Sequence, residues 1–276
     1  MAHTQLQRHV CRLLAGRRLN NDERYVAGGA ALNEVLGAPR ISDDLDLFHS
    51  TEEALQHSSE ADRAILVQSG LVVESVRELR AFVEVLVRGD DQQEVLVQWV
   101  RDSAFRFFPL QIHPELGLTL HPFDLATNKV LALVGRVEVR DWVDVLTCHQ
   151  RLSPLGCLAW AAAGKDLGLT PLFILDEAAR TAHYSKADVD GLLFDGAPPS
   201  PVALTTVWRQ ALSDARAIVD ALPPEHVGSA ILSAHGVPFN GSVTALRDGV
   251  RDGTLSFHEG RIGGVLPSVR PRILPE

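Results

Sequence analysis

The pattern of apolar and polar positions divides the chain into a first part that mixes helical and extended periods and a second part that is mostly helical. Leu6, Val10, Leu13 and Leu14 in "QLQRHVCRLLAGRRL" share one stripe, which predicts an amphipathic opening helix ending near Gly16. "RYVAGGA" reads as a short buried strand running into glycines, and "AALNEVLG" as a helix closed by Gly37 and Pro39. "DLDLFHS" alternates strictly, the period of a half-buried strand, and Ser50-Thr51 ahead of Glu52-Glu53 marks a helix start that runs toward Gly70. Three extended stretches follow, "LVVESVRE", "AFVEVLVRG" and "EVLVQWVRDSAF", with "GDDQQ" turning between the last two. Strand, helix, strand, helix and a meander indicate an α/β sheet with helices packed on it.

The character changes after "HPELGLTLHPFD". "PFDLATNKVLALVGR" and "VEVRDWVDVLTCHQRL" predict a helical hairpin broken at Gly135. "PLGCLAWAAAGKDLG", "TPLFILDEAARTAHYS", "SKADVDGLLF" and "PVALTTVWRQALSDARAIVDAL" continue as helices. The division is therefore an α/β part over 1–121 and a helical domain over 122–276. The tail from Phe239 is rich in Gly, Pro and Arg and gives no clear period.

Composition narrows the class. A chain of 276 residues, 46% hydrophobic, is long enough to bury a substantial core. The formal net charge of −9 would repel a polyanion, so nucleic acid would need a local basic patch or a metal to bring it in. That acidity leans toward a small-molecule or protein acceptor. Cys11, Cys148 and Cys157 are scattered and free of CxxC spacing, which fits a reduced compartment and predicts a cytoplasmic location. No run is apolar enough for a signal peptide or a membrane span.

The chemistry concentrates in "YVAGGAALNEVLGAPRISDDLDLFHS". On a strand, Asp44 and Asp46 point to one face with Cα atoms about 7 Å apart, while Leu45 and Leu47 face the core. Two carboxylates on one face repel unless a cation lies between them, and oxygen ligands of this kind suit Mg²⁺, which also takes phosphate oxygens. Gly28 and Gly29 stand where a strand turns into a helix, so bare backbone and free N–H groups can meet an anion there.

A Gly-Gly corner followed by "RISDDLDLF" resembles the signature of the nucleotidyltransferase superfamily, and Arg40 and Ser42 ahead of the acids make it most similar to the AbiEii-like toxin nucleotidyltransferases. "DLATNKVLALVGRVEVRDWVDVL" resembles that family's downstream lysine and Arg-Asp-x-x-Asp segment, mapping its roles onto Lys129, Arg140, Asp141 and Asp144. The resemblance implies a nucleotidyltransferase-like core with a mixed sheet, followed by an all-helical C-terminal domain that brings Lys129 and Asp144 to the cleft. It implies transfer of a nucleotidyl group from an NTP such as ATP to an acceptor hydroxyl, with Mg²⁺ (or Mn²⁺) on Asp44 and Asp46. Gly28, Gly29, Arg40, Ser42 and Lys129 would hold the nucleotide. The catalytic set would be Asp44, Asp46, Lys129 and Asp144, with Asp144, or else Asp141, accepting a proton or fixing Lys129. Acceptor RNA such as tRNA and a cognate antitoxin protein follow from the same resemblance. Alternatives are an aminoglycoside-type small-molecule enzyme and a nucleotide-binding regulatory protein without turnover.

One position departs from the family pattern: the third metal-binding acid of many relatives falls on Gln98, with Glu94 and Asp102 on the same stretch as substitutes. P-loop, dinucleotide, zinc-protease and hydrolase-elbow motifs are absent. Cys148, His149 and Cys157 read as semi-buried helix residues rather than a zinc site. His113 and His121 read as loop residues, and Trp99, Trp142, Trp160 and Trp208 as packing. Arg40 is either a partner of Asp43 or a phosphate contact. Arg247, Arg251, Arg261, Arg270 and Arg272 are basic positions in a solvated tail.

Overall fold

The computed structural model describes residues 3–18, 24–90, 93–180 and 184–267; Arg270, Arg272 and the Asp91-Gln92 tip of the predicted hairpin lie outside them. The first part runs α1 (Gln5–Arg18), β1 (Arg24–Ala27), α2 (Gly28–Leu36), β2 (Asp44–His49), α3 (Glu52–Gln68), β3 (Val72–Leu79), β4 (Phe82–Arg88), β5 (Glu94–Arg101), β6 (Phe105–Arg106), β7 (Gln111–His113) and β8 (Gly117–Thr119). Seven strands form one mixed sheet in the order β3-β4-β5-β2-β1-β8-β7. β2 pairs with β5, and β1 with β8, in parallel, and the other pairings are antiparallel.

Register follows from the alternation. Leu45, Leu47, Val83, Val85, Val87, Val95, Val97 and Trp99 are buried, on the side where α3 packs and where Asp62 accepts the Trp99 indole N–H at 3.1 Å. Each such side chain contributes about 1.5–3 kcal/mol of burial, so a one-residue slip that turned them outward would cost more than the whole fold is worth. The intervening residues are thereby aligned in rows across the other face. Arg77 stands opposite Glu84, Glu84 opposite Gln98, Gln98 opposite Asp46, and Asp46 opposite Ala27. In the next row Phe82 stands opposite Val100 and Val100 opposite Phe48.

The second part contains α4 (Pro122–Arg136), α5 (Val139–Arg151), α6 (Leu155–Ala162), α7 (Pro171–Ala179), α8 (Lys186–Asp190), α9 (Pro201–Ala221), β9 (Ala230–Leu232), α10 (Val243–Arg251), β10 (Ser256–His258) and β11 (Arg261–Ile262). Helices dominate, with three short strands in the tail that its sequence does not announce. β9 pairs with β10, and β11 returns to pair with β6, tying the end of the described chain to the first part. A single buried core extends from Leu6 through Trp99, Trp142 and Trp208 to Leu246.

Two expectations are corrected. The α4–α5 hairpin does not break at Gly135, which stays helical, but at Val137, which closes α4 in the left-handed region at φ 55°. A β-branched residue there costs about 1–2 kcal/mol, and the turn is braced by Arg136, whose guanidinium reaches back to Asp141. His113 and His121 flank the short strand β8, and His121 is a loop residue as expected, whereas His113 belongs to β7. His113 ends β7 and accepts the backbone N–H of Glu115 and Leu116. His121 caps α4 by accepting from Phe123, and burial lowers its pKa to about 4, which keeps that nitrogen an acceptor.

Candidate active site

The cavity-facing rows of the sheet meet α4 across a cavity of about 450 Å³. One wall is the α2 corner with Gly28 and Gly29, then Asp44, Asp46 and Phe48 of β2, Gln98 and Val100 of β5, Phe82 and Glu84 of β4, and Arg77 of β3. The other is a single face of α4, where Leu125, Asn128, Lys129, Ala132 and Arg136 recur at helical spacing. Arg40, Ser42 and Arg140 complete the lining.

The glycine corner is dictated by close approach. Gly28 lies at φ 70°, and a Cβ there would sit 1.7 Å from Asp46 Oδ2. A Cβ on Gly29 would sit 2.6 Å from Arg40 Nη2 and 2.8 Å from Ser42 Oγ. The N-cap residue Ala27 offers no side-chain acceptor, so the first N–H groups of α2 have no side-chain cap.

Asp44 is held from both sides. The Ser42 hydroxyl donates to Oδ1 at 2.7 Å, and Arg140 Nη1 donates to Oδ2 at 3.3 Å. Ser42, expected as a nucleotide contact, is engaged with Asp44. Asp46 has no hydrogen-bonding or ion-pair partner among the described residues. Burial, and then the nearby Asp44 carboxylate, push its pKa up to about 7. The Asp44–Asp46 pair, open to the cavity, fits a hard divalent ion that keeps waters and takes phosphate oxygens. Among the described residues no cluster of three or more His, Cys, Asp or Glu side chains could hold a metal.

Behind the cavity runs a buried network. Arg40 donates to both oxygens of Asp144, Nε to Oδ1 at 2.6 Å and Nη2 to Oδ2 at 2.7 Å. Lys129 Nζ lies 3.1 Å from Asp144 Oδ2 and 2.9 Å from Asp141 Oδ1, and Arg136 forks onto Asp141. Asp141 and Asp144 are fully buried, and neither lines the cavity. Burial opposes the Lys129 charge, but Asp144 and Asp141 outweigh it and hold the ammonium above its ordinary value. Burial likewise opposes the Asp144 charge, and Lys129 and Arg40 overcome it, holding the carboxyl below its ordinary value. Arg40 is thus the partner of Asp144, not of Asp43, because the 40–41 segment pairs with Leu193 and Phe194 and turns the guanidinium inward.

The third-acid position is also resolved. Gln98 faces the cavity beside Asp46 and donates to Glu84 Oε2 at 2.7 Å. Glu94 pairs with Arg88, and Asp102 accepts the Ser103 N–H; neither lines the cavity, so neither substitutes. Glu84 and Arg77 do line it, and the sequence reading passes over both. Period-2 alternation in "AFVEVLVRG" puts Glu84 outside the apolar set, but only the β4–β5 register places it next to Gln98.

The remaining candidates fall elsewhere. The three cysteines are buried, and burial raises the Cys148 and Cys157 thiols, Cys157 to about 12. All four tryptophans are buried. Arg251 pairs with Asp248 and Asp252, and the described tail arginines do not line the cavity. Among the described residues no helix is long and apolar enough to cross a membrane.

Comparison with known proteins agrees with this geometry. Similar solved folds include the nucleotidyltransferase toxin MenT4 of Mycobacterium tuberculosis H37Rv, at 18% identity and a TM-score of 0.55, covering 80% of this chain and 83% of that one. JHP933 of Helicobacter pylori is similar at 13% identity and a TM-score of 0.50, over 78% and 93% of the two chains. A search of curated protein sequences finds no match. The family described as nucleotidyl transferase AbiEii toxin, type IV toxin–antitoxin system, matches residues 12–165, more than half the chain and all of the glycine corner, the paired acids and the α4–α5 network. The chain belongs to the AbiEii family of nucleotidyltransferase toxins.

Proposed function

We propose that the protein transfers a nucleotidyl group from an NTP to an acceptor hydroxyl, releasing pyrophosphate, with Mg²⁺ (or Mn²⁺) held by Asp44 and Asp46. The observation that carries this reading is the convergence on one cavity of Gly28, Gly29, Asp44 and Asp46 with Lys129, which comes from a distant part of the chain. When bound, the cation would neutralise phosphate oxygens and help align the triphosphate. The backbone of Gly28 and Gly29 meets the β- and γ-phosphates at the start of α2. Lys129 supplies a compact positive charge to the transferring group, and Arg40 and Arg140 stand within the same cavity. Asp144 and Asp141 act one step back, as positioning residues that fix Lys129, Arg40 and Arg136.

The charge of the cavity favours an anionic acceptor such as RNA. Five basic side chains, Arg40, Arg77, Lys129, Arg136 and Arg140, line it against Asp44, Asp46 and Glu84. This opposes the aminoglycoside-type reading, whose acceptors are cationic. The family points further to a cytoplasmic toxin restrained by a cognate antitoxin. Transfer of radiolabel from each of the four NTPs to total RNA and to small hydroxylated compounds, comparing wild type with Asp46→Ala, tests the reaction. Label on RNA that vanishes in the variant is expected, and equal labelling by the two proteins would overturn the reading. Growth arrest on expression, absent for Asp44→Ala, tests the toxin. Gln98 favours one second reading, a nucleotide-binding protein without turnover, which calorimetry would reveal as NTP binding without consumption.

A further inference from the structure

The phosphate-handling groups occupy one end of the cavity. At the other end are Phe48, Val100 and Phe82, side by side on β2, β5 and β4, with Arg77 on β3 in the neighbouring row, opposite Glu84. Strands lie about 4.8 Å apart, so the two rings define a shelf about 10 Å wide, the breadth of a stacked base and its sugar. Both phenylalanines are only partly buried, and both line the cavity. The Arg77 guanidinium lies 5.8 Å from the centre of the Phe82 ring. It has no carboxylate partner among the described residues, although Glu84 stands directly opposite it, because Glu84 is taken by Gln98.

An apolar shelf with a free guanidinium at its rim has the chemistry of a site for a planar ring joined to a phosphate. We propose that Phe48, Phe82 and Arg77 form the acceptor subsite, in which the last base of a single-stranded RNA end stacks on the two rings while Arg77 takes the adjoining phosphate. The Glu84–Gln98 pair borders the same shelf and offers hydrogen bonds to the base edge or the ribose. The terminal hydroxyl then points along the sheet toward Asp46 and the glycine corner. This rests on the nucleotidyl-transfer reading and adds where the acceptor lies and what selects it.

The test separates the two ends of the cavity. Binding of a short fluorescent oligoribonucleotide is followed by anisotropy, and binding of an NTP by calorimetry, for wild type, Arg77→Ala and Phe82→Ala in the presence of Mg²⁺. Arg77 is exposed and Phe82 only partly buried, and melting curves confirm that each variant is folded. Loss of a stacked base or a phosphate contact should weaken oligonucleotide binding about tenfold or more, with NTP affinity within twofold of wild type. Acceptor KM should rise in parallel while the KM for NTP holds. A nucleoside monophosphate that competes as well as the strand, and loses affinity in the same variants, would assign the shelf to a free nucleotide and overturn the RNA-end assignment. Unchanged oligonucleotide binding in both variants, no binding by wild type, or equal loss of NTP and oligonucleotide would also overturn it. Failure of the underlying reaction shows separately, as absence of label transfer by wild type even where the oligonucleotide binds.

Discussion

Asp144→Asn is the perturbation that most sharply separates a chemical role for this acid from a positioning one. Asp144 has no exposure to solvent, and it receives two hydrogen bonds from Arg40 and an ion pair from Lys129. Removing one partner of a buried ion pair costs about 3–5 kcal/mol, because the cations left behind remain desolvated. Asparagine keeps the shape and one acceptor oxygen, so the lower end applies, and at about 2–4 °C per kcal/mol the Tm should fall by about 6–12 °C.

The sign of the pH dependence follows from the same network. The folded carboxyl titrates below its ordinary value, so its stabilisation is fully present above the ordinary carboxylate range and is lost as pH falls through the lower folded value. The gap in Tm between wild type and variant should therefore be full at neutral pH and close only below pH about 4. Differential scanning calorimetry from pH 3.5 to 8 measures it, with transfer assayed at 15 °C, where the variant is still folded. Turnover should drop by at least about tenfold as Lys129 and Arg40 lose their anchor, and it should recover partly in Asp144→Glu. Lost turnover with an unchanged Tm would refute this reasoning and return Asp144 to the role of proton acceptor.

Other outcomes follow from the cavity. Gly28→Ala should cost about 1–3 kcal/mol for its positive φ and reduce transfer by about a hundredfold or more, since its Cβ would displace Asp46; urea melts and label transfer check it. For Asp46, the folded pKa near 7 exceeds the unfolded one, so this group binds more protons when folded and its share of stability declines as pH rises from about 4 to 7. Metal-free Asp46→Asn should accordingly melt a few degrees above wild type at pH 8 and lose that advantage at pH 5. Because the cation must displace that proton, Mg²⁺ affinity measured by calorimetry should weaken about tenfold from pH 8 to pH 6.

The sequence made the first half of the site legible because its signals are local. Alternation places Asp44 and Asp46 on one face, and paired glycines at a strand–helix junction mark the corner, so two short segments carry the groups proposed for metal and phosphate. Lys129 was reached through the family resemblance, and its helical spacing agreed. What stayed hidden depends on register between strands or on tertiary packing. Glu84 and Arg77 acquire meaning only when β3, β4 and β5 are aligned, and nothing within "LVVESVRE" distinguishes Arg77 from a solvated edge residue. The bidentate Arg40–Asp144 pair joins residues 104 positions apart, and it replaced the nearer Asp43 because the 193–194 segment draws Arg40 inward. The tail strands are too short to show a period, since two or three residues cannot display alternation.

The net charge of the chain and the charge of the cavity differ, and the difference bears on the proposed acceptor. At physiological salt, charges more than about 8 Å apart are largely screened from one another, so the value of −9 describes the outer surface and solubility rather than the cavity. Inside, screening is weak, and two unit charges 4 Å apart interact by about 4 kcal/mol at an effective dielectric near 20. There the lining carries more basic than acidic side chains, and Asp141 and Asp144, which balance three of the cations, do so from behind, leaving Arg77 and Arg140 on the cavity side. Arg140 rests on Asp44, so a divalent ion arriving with its triphosphate would compete for that carboxylate and leave the guanidinium free for phosphate oxygen. A polyanion thus meets repulsion from the protein at a distance and attraction only once its end has entered the cleft. That favours narrow, flexible, single-stranded ends over duplex, which could not bring its backbone close enough to escape the outer field.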